Sequence, residues 1–299
     1  MKALVIGGDS YIARHFIKRY SSVFEFLVIS RIPTGFSHEV IIENLWNIPD
    51  DMFLVDVVIN FAAIVHSPTL TNAAIYGEVN RDLAVNNARK SKKNGVNLFL
   101  QMSSISVYGD SNTDISCLTE ASPSTIYGIT KLQADNEILK MSDDRFSVAV
   151  IRPPMVYGPG APGNMLKLIR IVDKSVPLPF LNVNNERDFI YIGTLVQYLY
   201  VTIQMKLNGV FLVSESNPVS TESIVKIIGK HLSRKVFLFK VPLLLNFIKL
   251  FMPVKYNKLY CSLKISSNFP YNDLISFTSI DESLRETINH YVSNNRLRS

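Results

Sequence analysis

The first half of the chain alternates short, mainly apolar runs with segments of helical spacing, and no other feature constrains the fold as much. Residues 2–8 form a β-branched run ending in Gly7-Gly8, and residues 11–20 follow with apolar positions at Ile12, Phe16 and Ile17. The runs 24–30, 55–63, 96–103 and 146–152 predict further strands, with helices over 73–94 and 127–141 between them. A strand apolar at every position is buried on both faces. That requires a parallel sheet covered by helices on both sides and joined by right-handed crossovers. The fold class this predicts is α/β, a doubly wound sheet.

Beyond Arg152 the rhythm changes. Pro153-Pro154 and a glycine- and proline-rich stretch over 158–163 interrupt it, and then come helices at 195–205, 221–232 and 281–292 and a strand at 209–213. Residues 1–157 are expected to form the nucleotide-binding domain, rejoined by about 187–214. Residues 158–299 are expected to be mainly a smaller, interleaved substrate-binding portion.

Composition narrows the function classes. A chain of 299 residues, 47% apolar and 19% charged, can bury a large core and is not disordered. The net charge of +6 suits a phosphate-bearing ligand. The one basic run, Arg89-Lys90-Ser91-Lys92-Lys93, has no recognition motif beside it, so nucleic acid is not an expected partner. Cys117 and Cys261 lie far apart without metal-ligand spacing, which suits a reducing compartment. The N-terminal apolar run breaks at Gly7-Gly8-Asp9, unlike a secretory signal. The apolar stretches 53–65 and 241–252 are too short to span a bilayer, and a cytoplasmic location is expected.

The first strand runs into Gly7-Gly8-Asp9-Ser10-Tyr11-Ile12-Ala13. In a glycine loop of this kind the first glycine makes the turn, the second admits a pyrophosphate and the third lets helix and strand pack closely. Gly7, Ser10 and Ala13 hold those places. The end of the second strand then selects between cofactors, since a carboxylate there binds the ribose 2′-hydroxyl of NAD(H) and a cation the 2′-phosphate of NADP(H). Ser30-Arg31, with no carboxylate beside it in sequence, predicts NADP(H), with NAD(H) as the alternative.

In the middle of the chain, Ser103-Ser104 closes a strand and Tyr127-Gly128-Ile129-Thr130-Lys131 opens a helix. Residues i and i+4 share a helix face. An ammonium beside a phenol favours the phenolate, which makes Tyr127 a candidate acid or base for carbinol–carbonyl interconversion.

With these residues in view, the chain resembles an extended short-chain dehydrogenase/reductase of the nucleotide-sugar epimerase/dehydratase group. The likeness takes in the loop Gly7–Ala13, Asn60-Phe61-Ala62-Ala63, Asn80, Ser103 to Gly109 and Tyr127 to Lys131. It continues through Arg152 to Gly160, Arg187-Asp188-Phe189-Ile190-Tyr191 and the approach to the terminal helix. The resemblance implies a Rossmann-type fold and catalytic roles for Ser104, which bonds the reacting oxygen, Tyr127, which moves the proton, and Lys131, which holds the nicotinamide ribose and lowers the tyrosine pKa. It implies cofactor contacts at Gly7, Ser10, Tyr11, Ile12, Arg31, Asn44, Leu45, Ala62, Ala63 and Lys131, and substrate contacts at Ser106, Asn164 and Arg187. No metal is implied. Where the dehydratases of the group carry an Asp-Glu pair this chain has Ile105-Ser106, which cannot eliminate water.

The implied substrate is a nucleotide-diphosphate sugar of surface-polysaccharide synthesis. Arg31 favours a 4-ketoreductase acting on a 4-keto-6-deoxyhexose, the alternatives being a 4-epimerase and a non-catalytic NADP-binding sensor. The apolar stretch 241–252, flanked by Lys240, Lys255 and Lys258, reads either as a helix buried against the substrate portion or a second copy in a homodimer, or as an interfacial helix on an anionic membrane.

Overall fold

The computed structural model describes residues 1–65, 72–215, 217–240, 251 and 253–296. The stretch 241–252 lies outside these, Phe251 apart. In chain order come β1 (Lys2–Ile6), α1 (Tyr11–Tyr20), β2 (Glu25–Ser30), β3 (Glu39–Ile41) and β4 (Val57–Asn60). A long helical passage follows, made of α2 (Ala73–Tyr76), a π-helical stretch (Gly77–Leu83) and α3 (Ala84–Lys93). Next are β5 (Leu98–Met102), a 3-10 turn (Ile105–Tyr108), β6 (Asp114–Ile115), α4 (Ile126–Leu139), β7 (Ser147–Arg152), β8 (Met155–Tyr157) and α5 (Asn164–Asp173). The chain ends with β9 (Phe189–Tyr191), α6 (Ile192–Gln204), β10 (Gly209–Leu212), α7 (Thr221–Leu232), helix Pro253–Tyr260, β11 (Lys264–Ile265) and the C-terminal helix Ile280–Arg296.

Seven strands form one parallel sheet in the order β10-β7-β5-β4-β1-β2-β3. Alternation along each strand sends its residues to opposite faces. Ala3 and Val5 enter the core on one side, with α1 and α6, while Leu4 and Ile6 enter the core on the other, with α3 and α4. From Ala3 to Ile6 β1 is buried on both faces and needs apolar residues, which is the pattern its sequence shows after the exposed Lys2.

The strand order reverses at β1, which pairs with β2 on one side and β4 on the other. In open parallel sheets the crevice at such a reversal, outside the carboxyl ends of the strands, is where ligands bind. Two parallel two-stranded pairs, β8 with β9 and β6 with β11, tie the later chain to the rim of the sheet.

Some elements differ from expectation. The run 55–63 yields only Val57–Asn60 as strand, because from Phe61 the chain leaves the sheet to meet the turn after β1. The run 73–94 is not one α-helix. Its seven π-helical residues place Asn80 so that its amide grips the Ile64 backbone through both N–H and C=O, at 2.7 and 3.0 Å.

Candidate active site

The turn after β1 is built for close approach. Gly7 has φ +85°, and a Cβ there would lie 2.8 Å from the Ala62 nitrogen. Any side chain would push apart the two strand ends that flank the crevice. Ser10 is not simply a small substitute for glycine. It caps α1, its Oγ accepting from the Ala13 N–H at 3.2 Å. The N–H groups of Tyr11 and Ile12, in the first turn, have no carbonyl one turn back to receive them and crown a helix end of positive potential. Those donors, with Ala62 and Ala63 across the crevice, fit a dinucleotide pyrophosphate by their chemistry.

At the end of β2 the structure corrects the expectation of a carboxylate-free site. Arg31 is ion-paired to Asp9 in the glycine loop at 3.5 Å. Glu39, remote in sequence, folds back on the same strand end and accepts from Ser30 Oγ, from the Thr34 backbone and hydroxyl, and from the Gly35 N–H at 3.1 Å. Burial works against the Glu39 charge, but these hydrogen bonds outweigh it and hold its carboxyl down at about 2. Two carboxylates therefore lie at this strand end, Asp9 on Arg31 and Glu39 on Ser30. Nothing local in the sequence marks Glu39, because β3 is too short to read as a strand. Asn44 and Leu45 follow β3 on this rim. Asn44 caps a short 3-10 turn by accepting from the Trp46 N–H at 3.1 Å, and Leu45 is buried.

The catalytic candidates converge where β5, the 3-10 turn and α4 meet. Thr125 caps α4 through the Gly128 N–H at 3.1 Å. At Gly128 the helix lies so close to the turn that a Cβ would run into the Ser106 carbonyl oxygen. That approach brings Ser104 to Tyr127, whose phenol it hydrogen-bonds, while the Ser104 Oγ also accepts from the Ser106 N–H at 3.1 Å and lies 3.1 Å from the Ser106 hydroxyl. The Lys131 ammonium is buried and donates to the Met102 carbonyl at 2.8 Å, fixing α4 on the end of β5.

Electrostatics at this site depart from the implied picture. Desolvation pushes the Tyr127 phenol up to about 12, opposed by its bond with Ser104 and aided by the Asp135 charge. Desolvation brings Lys131 down to about 8, with Asp135 resisting. The hydrogen bond with Ser104 is the influence that eases ionisation of the phenol, against burial and the Asp135 charge.

The remaining candidates are placed elsewhere. Arg187 donates through Nη1 to the carbonyls of Asn257 and Cys261, at 3.0 and 2.7 Å, and so caps the end of helix Pro253–Tyr260. Asn257 in turn reaches the Asp110 carbonyl at 3.2 Å, linking that helix to the loop beyond Tyr108. Asp188, next in sequence, is buried and accepts from the Ile265 N–H. Asn164 is exposed at the start of α5, and no contact among the described residues joins it to the convergence of Ser104, Tyr127 and Lys131.

The chain is similar to several known proteins. A UDP-glucose 4-epimerase of Vibrio cholerae is 34% identical over 177 residues, 56% of this chain and 54% of the relative. An Escherichia coli O157:H7 N-acetyl-alpha-D-glucosaminyl-diphospho-ditrans,octacis-undecaprenol 4-epimerase is 22% identical over 66% of this chain and 61% of its own length. The chain thus matches somewhat over half of each of these relatives. Among solved structures, MoeE5 in complex with UDP-glucose and NAD superposes with a TM-score of 0.80 over the full length of both chains at 22% identity. UDP-glucuronic acid 4-epimerase from Bacillus cereus in complex with NAD gives 0.79 at 18% identity, over 98% and 99% of the two chains. At these identities the likeness is one of fold. The sequence itself matches the family model over residues 3–213, from the first strand through the last strand of the main sheet, and the chain belongs to the NAD dependent epimerase/dehydratase family.

Proposed function

We propose that this protein interconverts a carbinol and a ketone at C4 of a nucleotide-diphosphate sugar, as a 4-epimerase, using NAD(H) held at the glycine loop. The reading is carried by the convergence of Ser104, Tyr127 and Lys131 at the carboxyl edge of the sheet, beside the crevice that Gly7 and Ala62 form. A bound nicotinamide would supply hydride acceptance and return. As phenolate, Tyr127 would take the hydroxyl proton as the carbinol is oxidised, and as phenol it would give it back as the ketone is reduced. Ser104 bonds the same oxygen and, through the phenol, steadies the transferring proton. Lys131 and the N–H groups of Tyr11 and Ile12 are assigned to the cofactor, and Ser106 and Arg187 to the sugar nucleotide, Arg187 from its place at the end of helix Pro253–Tyr260. Residues 158–299 are proposed to supply most of the substrate contacts, as far as the described segments reach.

NAD(H) is preferred because Asp9 and Glu39 outnumber Arg31 at the end of β2, so a 2′-phosphate would meet net negative charge. The Vibrio cholerae relative supports epimerisation. The exposed Arg31 guanidinium supports a second reading, NADP(H)-dependent 4-ketoreduction.

Incubation of candidate nucleotide sugars with the protein, followed by mass spectrometry, separates the two. An isobaric product with a new retention time marks the epimerase, and a gain of two mass units with added NADPH marks the reductase. Cofactor binding with no changed sugar in the panel leaves a sensor and overturns both. For the cofactor, Asp9→Asn should tighten NADPH binding about tenfold and leave NADH within twofold, the order expected for one charged contact. Equal effects on both nucleotides would remove Asp9 and Arg31 from ribose recognition.

A further inference from the structure

Directly behind the convergence lies an ion pair that the proposed chemistry does not use. Asp135 is wholly buried on α4, one turn beyond Lys131. Its Oδ2 accepts from Ser103 Oγ at 2.7 Å and from Arg152 Nε and Nη2 at 3.1 and 3.0 Å. Arg152, the last residue of β7, spends its Nη1 on the Tyr108 hydroxyl at 2.8 Å, and its guanidinium lies 5.3 Å from the Tyr108 ring centre. The pair therefore touches the backbone segment of Ser104 at both ends, through its neighbour Ser103 and through Tyr108, the last residue of the turn that Ser104 opens. It also holds the helix that carries Tyr127 and Lys131.

Stability is a poor reason for this arrangement. A buried pair loses so much hydration that apolar residues of similar volume often serve as well or better. What an apolar core cannot supply is directional registration of three elements at once, or a buried negative charge one turn from an ammonium.

We propose that Asp135, together with Arg152, is a positioning residue for this site: it registers Ser104 against Tyr127 and keeps the Lys131 ammonium charged in its buried setting. The inference rests on the proposed roles of Tyr127 and Lys131. The charged or titratable groups on elements packed around α4 are Tyr76, Glu78, Arg81 and Asp82 before and within the π-helical stretch, the basic residues of α3, Tyr108 on the turn and Arg152 on β7. Arg81 is occupied by Asp82 at 2.6 Å, and Lys92 and Lys93 by Asp143 and Asp50. Asp135 is the charge that acts on Lys131.

The test uses ligand-free protein with 13C-labelled lysines, following the Lys131 signal, assigned by its loss in Lys131→Arg, through a pH titration by NMR. The wild-type midpoint is expected at about 8. Asp135→Asn should lower it by about one pH unit or more, a tenfold change in proton affinity, and Asp135→Glu should restore it. An unmoved midpoint in folded Asp135→Asn overturns the charge role. If that variant does not fold, the neutral pair Asp135→Asn/Arg152→Met takes its place with the same expectation. Tyr108→Phe tests registration: kcat should fall several-fold with KM within twofold and the Lys131 midpoint unmoved, whereas an unchanged kcat overturns that role. Because the titration needs neither cofactor nor sugar, a protein that turned over no nucleotide sugar would sink the proposed function and still leave Asp135 to be judged by NMR.

Discussion

Tyr127 is the one residue whose loss should separate chemistry from binding. On the proposed mechanism its hydroxyl moves the proton, while the glycine loop and Lys131 hold the cofactor. Tyr127→Phe should therefore cost about a thousandfold or more in turnover, within the range for a lost general acid or base. Cofactor affinity, read by quenching or enhancement of nicotinamide fluorescence, should stay within a few-fold. Wild-type-like turnover in this variant would take Tyr127 out of the mechanism. Ser104→Ala should cost about a hundredfold, as expected for one oriented donor. These residues were legible in the sequence because their relation is local: a serine closing a strand, and a tyrosine and lysine one helical turn apart. The partners that tune them were not. Asp135 sits at the same one-turn spacing from Lys131 and could have been marked by that periodicity, but Arg152 is brought to it only by the pairing of β5 with β7. In the same way Asp9 reaches Arg31, and Glu39 reaches Ser30, across turns that sequence spacing does not describe.

At the scale of elements, the closeness of the 3-10 turn to α4 determines the geometry of the site. Gly128→Ala would force a methyl against the Ser106 carbonyl, and neither backbone can yield without shifting Ser104 or Tyr127. The expected cost is about 1–3 kcal/mol, typical of overpacking, visible as a lower urea midpoint, with a larger proportional loss of turnover than of stability. A variant as active and stable as wild type would show that the turn can move freely. The loop joining β2 to β3 makes a second test. Glu39 has a depressed folded pKa, so its contribution to stability is present above the ordinary glutamate value of about 4.3. It is lost as pH falls toward the folded value of about 2. Glu39→Gln should accordingly lower Tm at pH 7, and the gap from wild type should close between pH 4.3 and 2. A gap that stays constant through that window would mean the carboxylate charge does not hold the loop. The π-helical stretch belongs to this scale as well: spacing over 73–94 predicts a helix but cannot show the extra residue per turn, because the cause is Asn80 gripping a backbone segment sixteen positions away.

Across the whole molecule, one core joins the sheet to the C-terminal helices. Phe16 and Ile59 belong to the same cluster as Ile224 and Val225 of α7 and Leu284 and Ile288 of the C-terminal helix. Tyr157, wholly buried after the main sheet, shares a 2.6 Å hydrogen bond with Ser283. Leu284→Ala should therefore destabilise the chain by about 2–5 kcal/mol, the range for a truncated core leucine. The effect should reach the far rim of the sheet. The single tryptophan, Trp46, sits just after β3, so its fluorescence reports from the opposite end of the molecule. Trp46 emission and far-UV circular dichroism should shift together in urea, in one transition. A Trp46 transition left at the wild-type midpoint would mean that the two portions unfold separately.

What the sequence determined by itself was the fold class, the main strand-like runs along the chain, the glycine loop and the serine, tyrosine and lysine that converge. Each is written in short-range terms, as burial on both faces of a strand, a residue that only a tight turn requires, or a spacing of one helical turn. What the tertiary structure decided was electrical. The charge balance at the end of β2, the burial that raises the Tyr127 phenol and the ion pair behind Lys131 all depend on which distant carboxylates the sheet and its loops bring near. Coulomb energy and desolvation follow distance and burial in space, and neither is a function of separation along the chain.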